Sequence, residues 1–131
     1  PAYLREHGLP EQPQDLLHGH WSVGYASPRT GRELPWEWRG ASDVDGVGGV
    51  DGVEGPQTLA VSSRVVTNNA ESYIACCRAG LGLIQIPRYD VQHLLDTGEL
   101  VEVLPAHRAA PMPVALLYPH RFLTLIETYA L

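Results

Sequence analysis

A chain of 131 residues is long enough for one domain with a real core and too short for two full ones. Hydrophobic residues make up 44% and charged residues 18%, the balance of an ordinary globular protein. No apolar run approaches the roughly 18 residues of a membrane span, and nothing resembles a signal peptide. Nine Lys and Arg against fifteen Asp and Glu leave a net charge of −6, and the basic residues are scattered singly, which excludes the electrostatic footprint of a chain that binds nucleic acid by itself.

Residues 1–7 read as a short helix with Pro1 in its first turn, where a missing N–H costs nothing, and Gly8 ends it. Pro10 and Pro13 make a stiff connector to a single helical turn, 14–18, with Leu16 and Leu17 expected to pack inward. Residues 21–25, Trp-Ser-Val-Gly-Tyr, alternate apolar with small and predict the first strand. Residues 27–32 form a turn. Residues 34–38 predict a second strand with Trp36 and Trp38 on one side as a large anchor.

The tract 43–55, DVDGVGGVDGVEG, has no pattern able to bury a face and is expected to be a flexible surface loop. Its acidic groups at Asp43, Asp45, Asp51 and Glu54 nearly fit a calcium-binding EF-hand loop. Val47 falls at a ligand position and cannot ligate, however, and the flanks leave no room for the paired helices. We read it as expansion of a short repeat. Residues 59–62 and 64–67 continue as a strand or hairpin.

The stretch 66–87, VTNNAESYIACCRAGLGLIQIP, organises the rest. Asn68 with Glu71 three residues on has the form of a capping box, so a helix should start near Asn69. Ala70, Tyr73, Ile74 and Cys77 recur at helical spacing and give it an apolar face. Gly80 stops the helix, Leu81-Gly82 turns the chain, and Leu83-Ile84-Gln85-Ile86 predicts a central strand covered on both faces, ended by Pro87. A helix N-terminus offers unpaired N–H groups and a positive dipole end to an anion, and Thr67, Asn68 and Asn69 sit where such a ligand would lie. Capping alone would also account for both asparagines.

Val91, Leu94 and Leu95 share one face of a helix ended by Gly98. Val101, Val103 and Leu104 predict a further strand, 105–111 a loop, and 113–118 an apolar strand. Phe122, Leu125, Ile126 and Tyr129 predict a final amphipathic helix. Strands alternating with helices of this length indicate an α/β domain with a mixed sheet. Pro1 in place of Met, and Leu131 inside a helical pattern, lead us to expect a piece of a longer protein.

Motifs for catalysis are missing. No G-x-S-x-G elbow surrounds any serine, and Gly80-Leu81-Gly82 follows a helix, so it is not a dinucleotide or phosphate loop. His7, His18 and His20 have no cysteine or carboxylate at zinc spacing, and the adjacent Cys76 and Cys77 point about 100° apart, unsuited to an ordinary disulfide. The expectation is no enzyme, no metal and no cofactor, with the cysteines as one core thiol and its neighbour in a reducing cytosol.

Pro1-Ala2-Tyr3-Leu4 with His7-Gly8, then Pro10, Pro13, Asp15-Leu16 and His20, resembles the opening of the second lobe of the effector domain in LysR-type transcriptional regulators. Thr30-Gly31-Arg32 with Pro35-Trp36-Glu37 is similar to a hairpin of one large subgroup. Asn68-Asn69-Ala70, Ala79-Gly80-Leu81-Gly82-Leu83 and Ile86-Pro87 resemble a further family segment, as do Gly98-Glu99-Leu100-Val101, Val103-Leu104-Pro105 and Leu117-Tyr118-Pro119. The likeness runs in order along almost the whole chain. The tract 43–55 departs from it, being longer and richer in glycine than usual.

The resemblance implies a periplasmic-binding-protein-like (type II) fold of two α/β lobes with a small effector between them. Residues 1–112 would be the second lobe, and 113–131 the returning strand and start of a helix of the first. It implies a cytoplasmic regulator, a homodimer or tetramer, that touches DNA only through a winged helix-turn-helix outside this sequence and has no membrane partner. Carried onto this chain, the effector site would comprise Gly24, Tyr25, Ala26, Thr67, Asn68, Asn69, Ile86 and Pro87, holding a small polar or anionic metabolite. Asn68 and Asn69 would orient it, and Tyr25 would supply a hydrophobic wall with a hydroxyl. A periplasmic-type solute-binding protein of a transport system is the alternative on the same fold.

Overall fold

The computed structural model describes residues 1–40 and 57–109. The expected loop 43–55, strand 113–118 and final helix from 122 lie outside the described residues. In chain order come α1 (Ala2–His7), a 3-10 turn (Pro13–Leu17), β1 (Ser22–Tyr25), β2 (Trp36–Trp38), β3 (Gln57–Leu59), β4 (Ser63–Thr67), α2 (Ala70–Arg78), α3 (Arg88–Asp96) and a second 3-10 turn (Pro105–His107).

Both strand directions are present. β1 runs parallel to β4, with Gly24 opposite Val66 and Tyr25 opposite Thr67, while β2 and β3 pair antiparallel, Glu37 opposite Thr58. On the other edge of β1, Leu83 makes a parallel bridge. Its N–H donates to Trp21 O and its carbonyl accepts from Val23 N–H, each at 2.9 Å. β4, α2 and Leu83 therefore form a βαβ crossover that steps over β1. The close approach at this bridge requires glycine at 82, where a Cβ would stand 2.6 Å from the Ser22 carbonyl carbon and 2.8 Å from Trp21 O.

The core joins distant segments. Tyr3, Leu16, Leu83 and Leu104 form one buried cluster, with Leu4, Trp36, Val61 and Val103 packed against it. Leu16 is fully buried, which contributes about 1.5–3 kcal/mol. Tyr3 sits on α1 because Gly8, at φ 82, closes the helix with its N–H on Leu4 O. The Tyr3 hydroxyl accepts the Trp21 N–H at 2.8 Å and lies 3.2 Å from His20 Nδ1, so the first helix is fastened to the start of β1.

Four expectations are corrected. The cap of α2 is Asn69, not Asn68: Asn69 has the extended backbone of a cap, and its side chain accepts the Ser72 N–H at 2.9 Å. The third helical residue is then Ser72, so no reciprocal Glu closes a box. Leu83-Ile84-Gln85-Ile86 is not a strand beyond Leu83, because the Gln85 N–H turns away to the Tyr73 hydroxyl; β1 is the central strand instead. No strand forms through Val101, Val103 and Leu104, since Leu104 adopts the left-handed conformation, φ 54, and leads into a 3-10 turn. Leu17 points out, 46% exposed, because successive residues of a 3-10 turn lie about 120° apart and only Leu16 faces the core.

Candidate functional site

β1 and β4 end side by side. Tyr25 and Thr67 are their last residues, and only Asn68 and Asn69 separate Thr67 from α2. The Ala26 N–H donates to Thr67 O at 2.7 Å, and the Thr67 hydroxyl donates to Gly24 O at 3.3 Å. Asn69 Nδ2 donates to Asn68 Oδ1 at 3.3 Å. Six of the eight expected site residues, Gly24, Tyr25, Ala26, Thr67, Asn68 and Asn69, thus form one linked group at the carboxyl ends of two parallel strands. Ile86 and Pro87 are not tied into it by these bonds. They follow Gln85, are partly buried, and Pro87 serves as the residue before α3, accepting the Asp90 N–H at 3.1 Å.

Asn68, Asn69 and Ala70 are exposed. Within the first turn of α2, the Asn69 side chain takes the Ser72 N–H and its carbonyl the Tyr73 N–H. The amides of Ala70 and Glu71 stand outside these two bonds, at the positive end of the helix. Glu71 places one carboxylate of the chain itself in that turn.

The floor of the group is shaped by residues that sequence reasoning passed over. Glu33 makes an antiparallel bridge to Ala26, and its carboxylate lies against Gly24 so closely that a Cβ at 24 would collide with Oε1. The Tyr25 ring meets Tyr73 edge to face, centroids 5.1 Å apart. Tyr73 is buried, and burial pushes its phenol up to about 12, against the Gln85 N–H, which works the other way. The Gln85 side chain in turn brackets Glu37: Oε1 accepts the Glu37 N–H at 2.9 Å and Nε2 donates to Glu37 O at 2.5 Å. The sequence signal for this contact was a lone polar residue among Leu83, Ile84 and Ile86.

Two surface hollows, about 520 and 370 Å³, lie elsewhere; the first is lined by Pro1, Ala75, Arg78, Ala79 and Glu99, the second by 9–11 and 102–107. Among the described residues there is no group of three or more His, Cys, Asp or Glu able to hold a metal ion, and no helix is long and apolar enough to cross a membrane. His20 is engaged by Tyr3 and His7 stacks on the same ring at 4.3 Å.

An α/β chain with parallel strands ending beside a capped helix matches a solved fold. The regulatory domain of AphB in Vibrio vulnificus superposes with a TM-score of 0.64 at 22% identity, over 85% of this chain and 47% of that one, a likeness of fold. The family model of the LysR substrate binding domain matches residues 6–125, and the chain belongs to that family.

An HTH-type transcriptional regulator of Escherichia coli K12, YhjC, is 36% identical over 121 residues, 92% of this chain and 36% of its own length. The HTH-type transcriptional activator AaeR of the same strain is 29% identical over 121 residues, covering 92% of this chain and 34% of its own. The chain spans about a third of the length of these relatives. Relatives named as transcriptional regulators do not favour the transport-protein reading.

Proposed function

We propose that the chain senses an effector for a LysR-type transcriptional regulator, binding a small polar or anionic metabolite in a cleft between two lobes. Binding there would control a winged helix-turn-helix elsewhere in the parent protein. Residues 1–112 supply one lobe and 113–131 begin the return to the other. The observation that carries this reading is the junction of Tyr25 and Thr67, which end adjacent parallel strands directly before the first turn of α2. Ligands of open α/β sheets gather outside the carboxyl ends of the strands, and a helix N-terminus adds N–H donors. Asn68 and Asn69 orient the ligand and Tyr25 is the wall, with Gly24, Ala26, Thr67, Ile86 and Pro87 as the remaining residues assigned to the site.

The role is recognition, with no cofactor and no bond made or broken. The relatives' helix-turn-helix designation supports a parent that acts on DNA; its cytoplasmic location and its assembly as a homodimer or tetramer are part of the same proposal.

A thermal-shift screen of small carboxylates and neutral polyols tests this. A ligand at a hundred times its Kd stabilises the fold by about 2.7 kcal/mol. That shift should shrink in Asn68→Ala and in Asn69→Ser, which keeps a capping oxygen. A hit whose shift survives both substitutions would place the ligand elsewhere.

A further inference from the structure

We propose that Gln85 is a positioning residue that couples the candidate effector wall at Tyr25 to the β2–β3 hairpin. The coupling begins at the edge of β2. Trp36 and Trp38 face Leu59 and Gln57 on β3, while the backbone of Glu37 turns to the opposite edge and there meets the Gln85 carboxamide. One oxygen takes its N–H and the amide nitrogen donates to its carbonyl, at 2.9 and 2.5 Å. A carboxamide is the side chain that reproduces both halves of a backbone pairing, so Gln85 stands in for a third strand of this small sheet. The main chain of the same residue is committed elsewhere: its N–H donates to the Tyr73 hydroxyl at 2.8 Å, and the Tyr73 ring packs edge to face on Tyr25. Two residues earlier, Leu83 is bridged to β1. Gln85 therefore holds β2 with its side chain and the α2 phenol with its backbone, at a point where the segment has just left the β1 edge. A displacement of Tyr25 reaches Glu37 through two contacts, Tyr73 and Gln85, and the reverse path fixes Tyr25 from β2.

This inference rests on the assignment of Tyr25 to the effector wall, but its test needs no effector. In Gln85→Glu the protonated acid keeps one acceptor and one donor and can pair with Glu37 as the carboxamide does; the ionised carboxylate has no donor and faces the Glu37 carbonyl oxygen. The substituted carboxyl should titrate above the usual glutamate range for that reason. The readouts are the Glu37 amide resonance and the fluorine resonance of a single 3-fluorotyrosine at position 25, followed between about pH 4 and 8 against the wild-type chain.

The proposal expects both signals of Gln85→Glu to coincide with wild type at the acid end and to depart from it with one common midpoint. Gln85→Met, which lacks both bonds, should be displaced at every pH. A Glu37 signal that titrates while Tyr25 follows wild type would overturn the coupling and leave Gln85 a brace for β2 alone. Two unchanged signals would overturn the positioning role altogether. Should Gln85→Glu fail to fold, the Tyr25 signal of Gln85→Met decides, and coincidence with wild type refutes the proposal. None of these outcomes bears on whether a ligand binds at Asn68 and Asn69, which the thermal-shift comparison decides separately.

Discussion

Adjacent asparagines at the start of α2 have different work, and replacing each by alanine separates them. Asn69 accepts the Ser72 N–H at 2.9 Å, whereas Asn68 is exposed and its side chain only accepts from Asn69 at 3.3 Å. Loss of a capping side chain costs about 0.5–2 kcal/mol, typically near 1. The cap is solvent-exposed, so water replaces part of the lost bond and the central value applies. For a domain of this size 1 kcal/mol lowers Tm by roughly 4 °C. Asn69→Ala should therefore melt roughly 4 °C below wild type by circular dichroism, and Asn69→Asp, which keeps the acceptor and adds charge at the positive helix end, should melt at or above it. An exposed Asn68→Ala should stay within about 0.5 kcal/mol. Equal losses at the two positions, or a larger loss at 68, would refute the cap assignment and the geometry of the site built on it.

Gly82→Ala should destabilise by about 1–3 kcal/mol in denaturant melts, because the added carbon meets the backbone of Trp21 and Ser22, which cannot rotate aside. A neutral result would mean the Leu83 bridge is looser than described. His20 is held below its ordinary value of 6.5, first by burial and next by His7, with Asp15 opposing. The unfolded state takes up the proton first, so its stabilisation is complete above pH 6.5 and is lost as pH falls below it toward the folded value. Denaturation midpoints should drop as pH falls below about 6.5, and the drop should shrink in His20→Gln. Burial pushes the Cys77 thiol up to about 11, leaving about one thiolate in a thousand at pH 8. In a Cys76→Ser background, iodoacetamide should label the half-buried Cys77 slowly until the chain is unfolded, and prompt labelling of the native state would contradict the raised thiol.

What the sequence disclosed was local. Gly8 and Gly98 mark the ends of α1 and α3 because left-handed closure is a property of single residues, and both have positive φ. The alternation from Trp21 to Tyr25 and the helical spacing through Tyr73 are likewise local patterns, and they placed Tyr25 and Thr67 correctly at strand ends. The cap was displaced by one residue because two asparagines in succession satisfy the same rule, and only the backbone decides which of them is extended. The run Leu83-Ile84-Gln85-Ile86 has the composition of a buried strand, but its pairing depends on Tyr73 and Glu37, the latter 48 residues away. Leu104 fails as a strand residue through a left-handed conformation that no leucine advertises. The pairing of β1 with β4, and with it the existence of a site at their joint ends, is likewise non-local and became visible only in the fold.

The most direct test of the account is a nuclear magnetic resonance titration of the chain with the best small carboxylate or polyol from the thermal-shift screen. The account predicts that the amides of Tyr25, Ala26, Asn69, Ala70 and Glu71 move first and saturate together, and that Asn68→Ala weakens the response at all five. Saturating shifts confined to the hollow bordered by Pro1, Arg78 and Glu99, with those five amides still, would contradict it.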